Sequence, residues 1–267
     1  MITDYKTIGK IKCGDFEVDN LYIEGTRKCN FTCPDYCYHG KAQNLSMSRE
    51  TLNAILDNFD GKKIESVVLQ GGEYNADLDA LDTIGTALRE HKTNFAQLRL
   101  VTNGYKLKPE FLKMLDDISK LADKTNKQKV YFTMSNDEYH GQEFTRLGDD
   151  LETSHEKFLE LGERYPHFYF LNRTYRKKHE IELYPCGNAL KQRNGKFEPI
   201  STDPYIIFRD NKKRDKLCLI NIEFDAKGNV VKQLSDYCGT ENDNHGNVHT
   251  HNMTDVYLQH GHYARLQ

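Results

Sequence analysis

Hydrophobic residues along the first two thirds of the chain follow two alternating spacings. Short apolar runs predict strands at residues 21–23, 64–69, 98–102, 130–134 and 168–171. Between them, apolar residues recur every three or four positions, as in amphipathic helices, in segments that begin near Leu52, Leu78, Leu112 and Leu151. Strands that alternate with helices predict an α/β fold with a parallel sheet, either open or curved into a barrel.

Capping residues predict the limits of two of these helices. Ser48 precedes the first apolar stripe as an N-cap, and Gly61 follows that stripe as a stop signal. Pro109 suits the first turn of the helix that carries Leu112. The sequence therefore predicts where the first of these helices begins and ends, and where the second begins.

The pattern changes after about residue 175. Residues 218–224 and 229–232 flank a turn at 225–228, which predicts an antiparallel hairpin in which Gly228 supplies a positive φ. Thr254 is predicted to cap a final short helix. We therefore expect residues 1–174 to form the α/β barrel part and residues 175–267 to form a small C-terminal α+β extension.

The composition excludes two classes of protein. Hydrophobic residues make up 37% of the 267 residues, charged residues 29%, and the mean hydropathy is -0.76, which fits neither a membrane protein nor a disordered chain. No apolar run reaches the roughly 18 residues of a membrane span, and residues 1–4 lack the features of a signal peptide. We expect a cytoplasmic protein without a membrane partner. In that compartment the seven cysteines are better explained as thiols, metal ligands or catalytic groups than as disulfides.

Positive charge is concentrated in one segment although the net charge is -3. Residues 172–218 contain twelve Lys and Arg against six Asp and Glu. Such a segment is either a solvated basic face or a binding surface for an acidic or phosphate-bearing substrate.

Three cysteines lie within nine residues directly after the first predicted strand. Thiolates of Cys29, Cys33 and Cys37 could bind three irons of a [4Fe-4S] cluster and leave the fourth iron open to another ligand. With His39 they could instead form a Cys3His zinc site, although C-x3-C is at the loose end of zinc spacings. Thiols without a metal are the third interpretation.

Polar and glycine-containing motifs follow the next three strands. They read Gly71-Gly72-Glu73, Thr102-Asn103-Gly104 and Ser135-Asn136-Asp137. In parallel sheets, functional groups collect at the carboxyl ends of the strands. Together with the cysteine loop, this ordered set resembles the radical S-adenosylmethionine (radical SAM) superfamily over roughly residues 18–172.

The resemblance implies a fold, a cofactor set and a chemistry. The fold would be a partial (β/α)6-type parallel barrel, with Cys29, Cys33 and Cys37 as ligands of a [4Fe-4S] cluster. S-adenosylmethionine would chelate the open iron and be cleaved reductively to a 5'-deoxyadenosyl radical, which abstracts hydrogen from a substrate C-H bond. The electron donor would be of the flavodoxin or ferredoxin type.

The resemblance also implies contacts to S-adenosylmethionine. Tyr36 would lie beside the adenine, and the backbone of Gly71 and Gly72 would meet the methionyl ammonium, with the turn shaped by Glu73. The other predicted contacts are polar residues at strand ends, namely Asn103, Ser135 and Asn172. Each of the polar residues also has a purely structural interpretation: a surface carboxylate for Glu73, and local turn or strand-end bonds for the rest.

Asp137, Glu138 and His140 form a titratable group that we expect on the loop after the fourth strand. They are candidates for substrate contact and catalysis, and ordinary loop polarity is the alternative.

Two departures from the family pattern are visible. The usual spacing is C-x3-C-x2-C, whereas residues 34–36 make the second gap one residue longer here. A bulge at Pro34 could absorb that residue, and Tyr36 keeps the aromatic position before the last cysteine. The fifth strand carries no Gly-x-Ile-x-Gly-x-x-Glu motif, so the adenine contacts there stay unassigned.

The remaining cysteines raise the question of a second metal site. The surroundings of Cys186, Cys218 and Cys238 resemble the SPASM or twitch extensions that carry auxiliary clusters, but with fewer cysteines than is usual. They could bind a second cluster or zinc with a fourth ligand from His245, His249, His251 or solvent, or be buried structural thiols. Cys13 is expected to be structural.

The extension also bears on the substrate. Its resemblance to peptide-modifying members favours a peptide side chain, with another small molecule as substrate also open. Modification of a nucleotide or nucleobase is the alternative that the basic segment encourages. A zinc-stabilised binding protein without turnover is the alternative from another class.

Overall fold

The computed structural model describes residues 16–34, 36–37, 41–122, 129–180, 206–211, 214–231, 247–250 and 263–265. Over the predicted α/β part, the strands are β1 (Phe16–Thr26), β2 (Lys63–Gly71), β3 (Asn94–Thr102), β4 (Val130–Met134) and β5 (Phe168–Leu171). The helices are α1 (Arg49–Asp57), α2 (Leu78–Glu90), α3 (Pro109–Ser119), α4 (Glu138–Arg146) and α5 (Leu151–Arg164). All five predicted strands and four predicted helices are therefore confirmed.

Further strands follow later in the chain. They are β6 (Ile206–Asn211), β7 (Arg214–Phe224), β8 (Val230–Val231) and β9 (Tyr263–Arg265). Neighbouring strands lie in the order β5-β4-β3-β2-β1-β7, and all of these pairs are parallel. β6 and β8 are antiparallel to β7, and β9 is parallel to β6. A parallel sheet with helical crossovers confirms the predicted α/β fold class.

The main core lies between one face of the sheet and the helices. Leu21 and Ile23 of β1 are fully buried, as are Leu52 of α1 and Leu81 of α2. Because successive residues of a strand point to opposite faces, the residue between the two β1 core positions, Tyr22, lies on the other face of the sheet. This alternation fixes which side of each strand faces the helices and keeps the strand ends in register.

Helix α4 was not expected from the sequence. Glu138 and His140 lie on this helix, and Asp137 is its N-cap, with its side chain accepting from the His140 N–H at 3.0 Å. The expectation of a loop is therefore wrong for Glu138 and His140, whereas Asp137 lies outside the helix and caps it. The helix escapes apolar-periodicity analysis because one of its three buried residues is a glutamate, Glu143.

The predicted hairpin is confirmed and lies in the same sheet as β1. Phe224 pairs with Val230 across the turn, and Gly228 has a φ of 81°. β7 is parallel to β1, with Leu21 opposite Ile222. The boundary at residue 174 stays a prediction, and the helix predicted at Thr254 lies outside the described residues. In the described part of the chain, no helix is long and apolar enough to cross a membrane.

Candidate cofactor site at the strand ends

The cysteine loop begins at a firmly bonded strand end. Thr26 Oγ1 donates to Asp77 Oδ2 at 2.6 Å, and Lys28 Nζ donates to Asp77 Oδ1 at 3.1 Å. The returning chain pairs with the same segment, since the Arg27 N–H donates to the Leu45 carbonyl at 2.8 Å. The residues directly before Cys29 are thus held from two sides.

Cys29, Cys33 and Cys37 line one cavity, and Gly71 and Gly72 line it with them. None of the three cysteines forms a disulfide. Burial raises the pKa of the Cys29 thiol to about 12 and also raises the pKa of Cys33. Without a metal, the Cys29 and Cys33 thiols are protonated at neutral pH. Binding of a metal would therefore release protons.

The number of thiols on this cavity matches the number of protein ligands of an iron-sulfur cluster with one open iron. A [4Fe-4S] cluster takes each cysteine on a different iron, so its ligands surround a cavity. A single zinc ion instead requires its ligands to converge at bond distance on one point. Among the described residues, no three Cys, His, Asp or Glu side chains are arranged to hold one metal ion. His39, the fourth ligand of the zinc alternative, lies outside those residues.

The Gly-Gly turn packs directly against the start of the cysteine loop. The Gly72 N–H donates to the Thr26 carbonyl at 2.7 Å, and the Glu73 N–H donates to the Lys28 carbonyl at 2.8 Å. A Cβ at Gly71 would collide with the Thr26 carbonyl, and one at Gly72 with that of Lys28. Gly71 also has a φ of 128°, a value that residues with a Cβ rarely adopt. Backbone packing therefore requires glycine at both positions, independently of any contact to a cofactor.

Glu73 braces the turn from inside the protein. The residue is 3% exposed, which excludes the interpretation as a surface carboxylate. Its carboxylate accepts from the Asn103 N–H at 2.7 Å, from Thr102 Oγ1 at 3.0 Å and from the Asn75 N–H at 3.0 Å. Burial raises the pKa of Glu73, while these hydrogen bonds act in the opposite direction. The carboxylate therefore joins the ends of β2 and β3.

Asn103 connects the end of β3 to the cysteine loop. Its Nδ2 donates to Asn30 Oδ1 at 2.7 Å, and its Oδ1 accepts from the Tyr105 N–H at 3.0 Å. The side chain is largely buried. The structure thus brings Asn103 to the predicted site, although its amide is already bonded to protein groups.

Aromatic side chains of α4 pack against the cysteine loop. The Tyr36 ring packs in a tilted arrangement against Tyr139, with ring centroids 4.4 Å apart, and its centroid lies 5.5 Å from that of His140. Phe31 meets Phe144 edge-on at 5.5 Å. Tyr36, predicted to lie beside the adenine, is therefore part of a buried cluster between the loop and α4.

Glu143 is a site residue that the sequence analysis missed. Its carboxylate accepts from the Thr32 N–H and from Thr32 Oγ1, each at 3.0 Å, and from Arg146 Nη2 at 2.8 Å. Burial opposes ionisation, but the bonds from Arg146 and Thr32 outweigh it and lower the pKa of Glu143. No local sequence signal marks this residue, because a charged position in an amphipathic pattern indicates the solvent face.

The predicted catalytic trio is bonded within the protein. Asp137 Oδ1 lies 2.9 Å from His140 Nδ1, and Glu138 Oε2 accepts from the Lys178 N–H at 2.9 Å. Burial opposes ionisation of Asp137, but the hydrogen bonds and charge of His140, together with the charge of Arg176, outweigh burial and lower the pKa. His140 is thus held by Asp137 beside Tyr36, whereas Glu138 anchors the chain after β5.

Two predicted cofactor contacts do not line the cysteine cavity. The Ser135 N–H donates to the Thr102 carbonyl at 2.9 Å, which places Ser135 at the common strand ends. Asn172 lines a separate cleft of about 1020 Å3 between α4, α5 and the chain after β5. None of the three loop cysteines lines that cleft. The structure therefore does not bring Asn172 into the cavity of the cysteines.

The basic segment after β5 runs along the start of α4. The Glu138 N–H donates to the Arg176 carbonyl at 2.9 Å. The Lys178 ammonium lies 4.9 Å from the centre of the Tyr139 ring. Part of this segment therefore holds α4 in place, while Lys177 is exposed.

Of the three cysteines predicted to form the second metal site, the structure describes only Cys218, and only its backbone. Cys218 lies in β7, where it pairs with Glu17 of β1. Cys13, Cys186, Cys238, His245 and His251 lie outside the described residues. His249 Nε2 lies 3.0 Å from Thr51 Oγ1 of α1. The second site stays a prediction.

Solved structures share the fold of this chain. The structure of anSMEcpe, a radical SAM enzyme, with bound AdoMet matches at 16% sequence identity with a TM-score of 0.57, covering 90% of this chain and 80% of that chain. With bound AdoMet and Cp18Cys peptide, the same enzyme matches at 17% identity with a TM-score of 0.55 and the same coverage. Streptococcus suis SuiB bound to precursor peptide SuiA aligns over 95% of this chain and 67% of its own at 13% identity, but its TM-score of 0.47 supports no argument.

No protein-family model and no curated protein matches the sequence. At identities this low, the structural matches establish the fold alone. The resemblance to the radical SAM superfamily is confirmed at that level: this chain has the α/β fold of radical SAM enzymes.

Proposed function

We propose that this protein is a radical SAM enzyme whose Cys29, Cys33 and Cys37 hold a [4Fe-4S] cluster. The observation that carries the proposal is the shared cavity of these three thiols and the Gly71-Gly72 turn, at the strand ends of a radical SAM fold. Three thiol ligands leave one iron of a cubane cluster for an exogenous ligand. When bound, the cluster and S-adenosylmethionine supply reductive cleavage to a 5'-deoxyadenosyl radical, which abstracts hydrogen from a substrate C-H bond.

The chain's own residues supply position and exclusion of water. Phe31 and Tyr36, both buried, cover the cysteine loop on the side of α4. Glu73 and Asn103 tie the ends of β2 and β3 to each other and to the loop. This network fixes the spacing between the cysteine loop and the Gly-Gly turn before any cofactor arrives.

We assign the S-adenosylmethionine contacts as the resemblance implies. Tyr36 would lie beside the adenine, the backbone of Gly71 and Gly72 would meet the ammonium, and Ser135 would bind the ribose. Asn103 and Asn172 complete the assignment. Its support is strongest for the glycines, which line the cysteine cavity, and weakest for Asn172, which lines the separate cleft.

A peptide is the substrate that we favour. The support is that anSMEcpe, which has the same fold, binds the Cp18Cys peptide. Asp137 and His140 are suited to contact such a substrate, since the Asp137 carboxylate orients the imidazole beside Tyr36. A flavodoxin- or ferredoxin-type protein would donate the electron, and the cytoplasm predicted from composition would suit both partners.

Anaerobic reconstitution with iron and sulfide tests the proposal. We expect a brown protein with broad visible absorption, iron and sulfide in near-equal amounts, and formation of 5'-deoxyadenosine on addition of S-adenosylmethionine and dithionite. The matched control is Cys37→Ala treated in the same way. Binding of zinc without iron, or 5'-deoxyadenosine formation by Cys37→Ala equal to that of the wild type, would contradict the assignment.

A further inference from the structure

We propose that Glu143 is a positioning residue that holds the cysteine loop in the conformation that accepts the cluster. The inference rests on the proposed function for the identity of the cluster. Its structural part, the restraint of the loop by Glu143, can be tested in the protein without metal.

The hydrogen bonds of Glu143 connect α4 to the cysteine loop. The residue is 5% exposed although it carries a charge, and burying a carboxylate is costly unless it is paired and hydrogen-bonded. Its partners are the Thr32 N–H and hydroxyl on one side and Arg146 on the other. Thr32 itself is exposed, so a carboxylate buried in α4 holds a residue at the surface of the loop.

The loop needs such a restraint at this position. Cys33, the next residue, has a φ of 36°, and the left-handed region costs a residue with a Cβ about 1–2 kcal/mol. Pro34 follows and has no N–H to bond. The Thr32 N–H is therefore the nearest backbone donor before Cys33 that can fix this turn. It donates to the Glu143 carboxylate.

Packing alone does not replace this restraint. Phe31 meets Phe144 edge-on, which keeps the loop close to α4, whereas the bond from the Thr32 N–H to Glu143 acts on the loop backbone itself. When the carboxylate is removed, Cys33 can relax from its left-handed conformation. Its thiol then leaves the cavity that it shares with Cys29, and the cluster loses one ligand.

The test compares Glu143→Ala and Glu143→Gln with the wild type and with Glu160→Gln, a matched control on the exposed face of α5. Hydrogen exchange of the metal-free proteins reports the loop directly. We expect amides of residues 29–33 to exchange about tenfold faster in Glu143→Ala, the factor that the loss of about 1.4 kcal/mol of hydrogen bonding produces. Glu143→Gln should be intermediate because its amide oxygen can still accept from Thr32, and Glu160→Gln should match the wild type.

The second readout is cluster retention after anaerobic reconstitution. Iron release to a chelator should be at least about tenfold faster for Glu143→Ala than for the wild type, and the electron paramagnetic resonance spectrum of the reduced cluster should change. Thr32→Val, which removes only the hydroxyl, should show a smaller effect. Unchanged exchange of the loop amides, or unchanged iron release despite faster exchange, overturns the proposal. A wild type that takes up no iron overturns the cluster assignment, and the exchange data then decide on the loop restraint alone.

Discussion

The rings of Tyr36 and Tyr139 pack against each other with centroids 4.4 Å apart and planes inclined by 31°. Tyr139 belongs to α4, and the Lys178 ammonium lies near the same ring. One face of Tyr36 is therefore covered by protein. An adenine beside Tyr36 would meet its edge or its other face, and α4 would form the wall behind that contact.

We predict that Tyr139→Leu weakens S-adenosylmethionine binding although Tyr139 is not itself assigned to the cofactor. Loss of an aromatic pair is worth about 0.5–1.5 kcal/mol, or roughly two- to twelvefold in Kd. Isothermal titration calorimetry of the reconstituted protein measures this change. The matched control is Tyr131→Leu, which removes a ring that pairs with Tyr169 at 5.3 Å on β4 and β5. Equal effects of both variants would contradict a specific role of the Tyr36–Tyr139 pair.

Replacement of any one of Cys29, Cys33 or Cys37 by Ala should abolish both iron binding and cofactor cleavage. Each cysteine would hold a different iron, so the remaining two cannot retain a cubane cluster with an open iron. Iron analysis and chromatography of 5'-deoxyadenosine measure the two effects. Cys13→Ala, outside the loop, should retain both, and a loop variant that still cleaves the cofactor would rule out this ligand set.

Gly72→Ala should lower the free energy of unfolding by about 2 kcal/mol or more, because its Cβ would collide with the Lys28 carbonyl. Chemical denaturation of the metal-free protein measures the loss. Gly162→Ala in α5 is the matched control, since a Cβ there meets only the Phe170 ring at 3.6 Å. That variant should instead gain about 0.5–1 kcal/mol from helix propensity. A Gly72→Ala protein as stable as the wild type would show that the turn can shift.

The contribution of Glu143 to stability should depend on pH. Hydrogen bonds from Arg146 and Thr32 outweigh the effect of burial and hold the pKa of Glu143 below its ordinary value of 4.5. A depressed carboxyl pKa stabilises the folded state above the unfolded value, and this stability is lost as the pH falls through the folded value. The difference in unfolding free energy between wild type and Glu143→Gln should therefore be largest at neutral pH and shrink below pH 4.5. A difference that grows on acidification would reverse the assigned direction.

Neutralising Arg176 and Lys177 to Gln should raise the KM for an acidic peptide by about two- to fivefold without changing cofactor cleavage in the absence of substrate. Exposed charges more than about 8 Å apart are largely screened at physiological ionic strength, so added salt should reduce the effect. Steady-state kinetics at two salt concentrations measure it. Lys178 is left unchanged because its ammonium lies near Tyr139. Wild-type kinetics at low salt would indicate a solvated face.

Local patterns predicted the strands well because burial on one or both faces leaves a direct mark on the sequence. The predicted strands at 130–134 and 168–171 agree with β4 and β5, and Ser48 caps α1 through the Thr51 N–H as expected. Such features depend on neighbours within a few residues. They follow from side-chain period and capping chemistry alone.

Features that depend on distant partners could not be predicted in this way. Part of what allows Glu143 to be buried is hydrogen bonding from Thr32, 111 residues away, and nothing adjacent to Glu143 encodes that partner. The sequence predicts a cofactor contact for the glycines at 71 and 72. The structure adds a second reason for glycine at these positions, because the backbone of Thr26 and Lys28 lies too close for a Cβ. The periodicity of the sequence also does not predict that β7 lies beside β1, because it does not identify the neighbour of a strand.

The pairing of β1 with β7 has a consequence for how the chain is made. β1 can pair with β2 soon after both leave the ribosome, but its other edge stays open until β7 is synthesised about 200 residues later. The Glu24 carboxylate receives the Ala226 N–H across a separation of 202 residues only at that stage. Contacts of such long range slow folding, and an open strand edge invites pairing between chains. Nascent chains halted before residue 214 should therefore be more prone to aggregate than chains that contain β7.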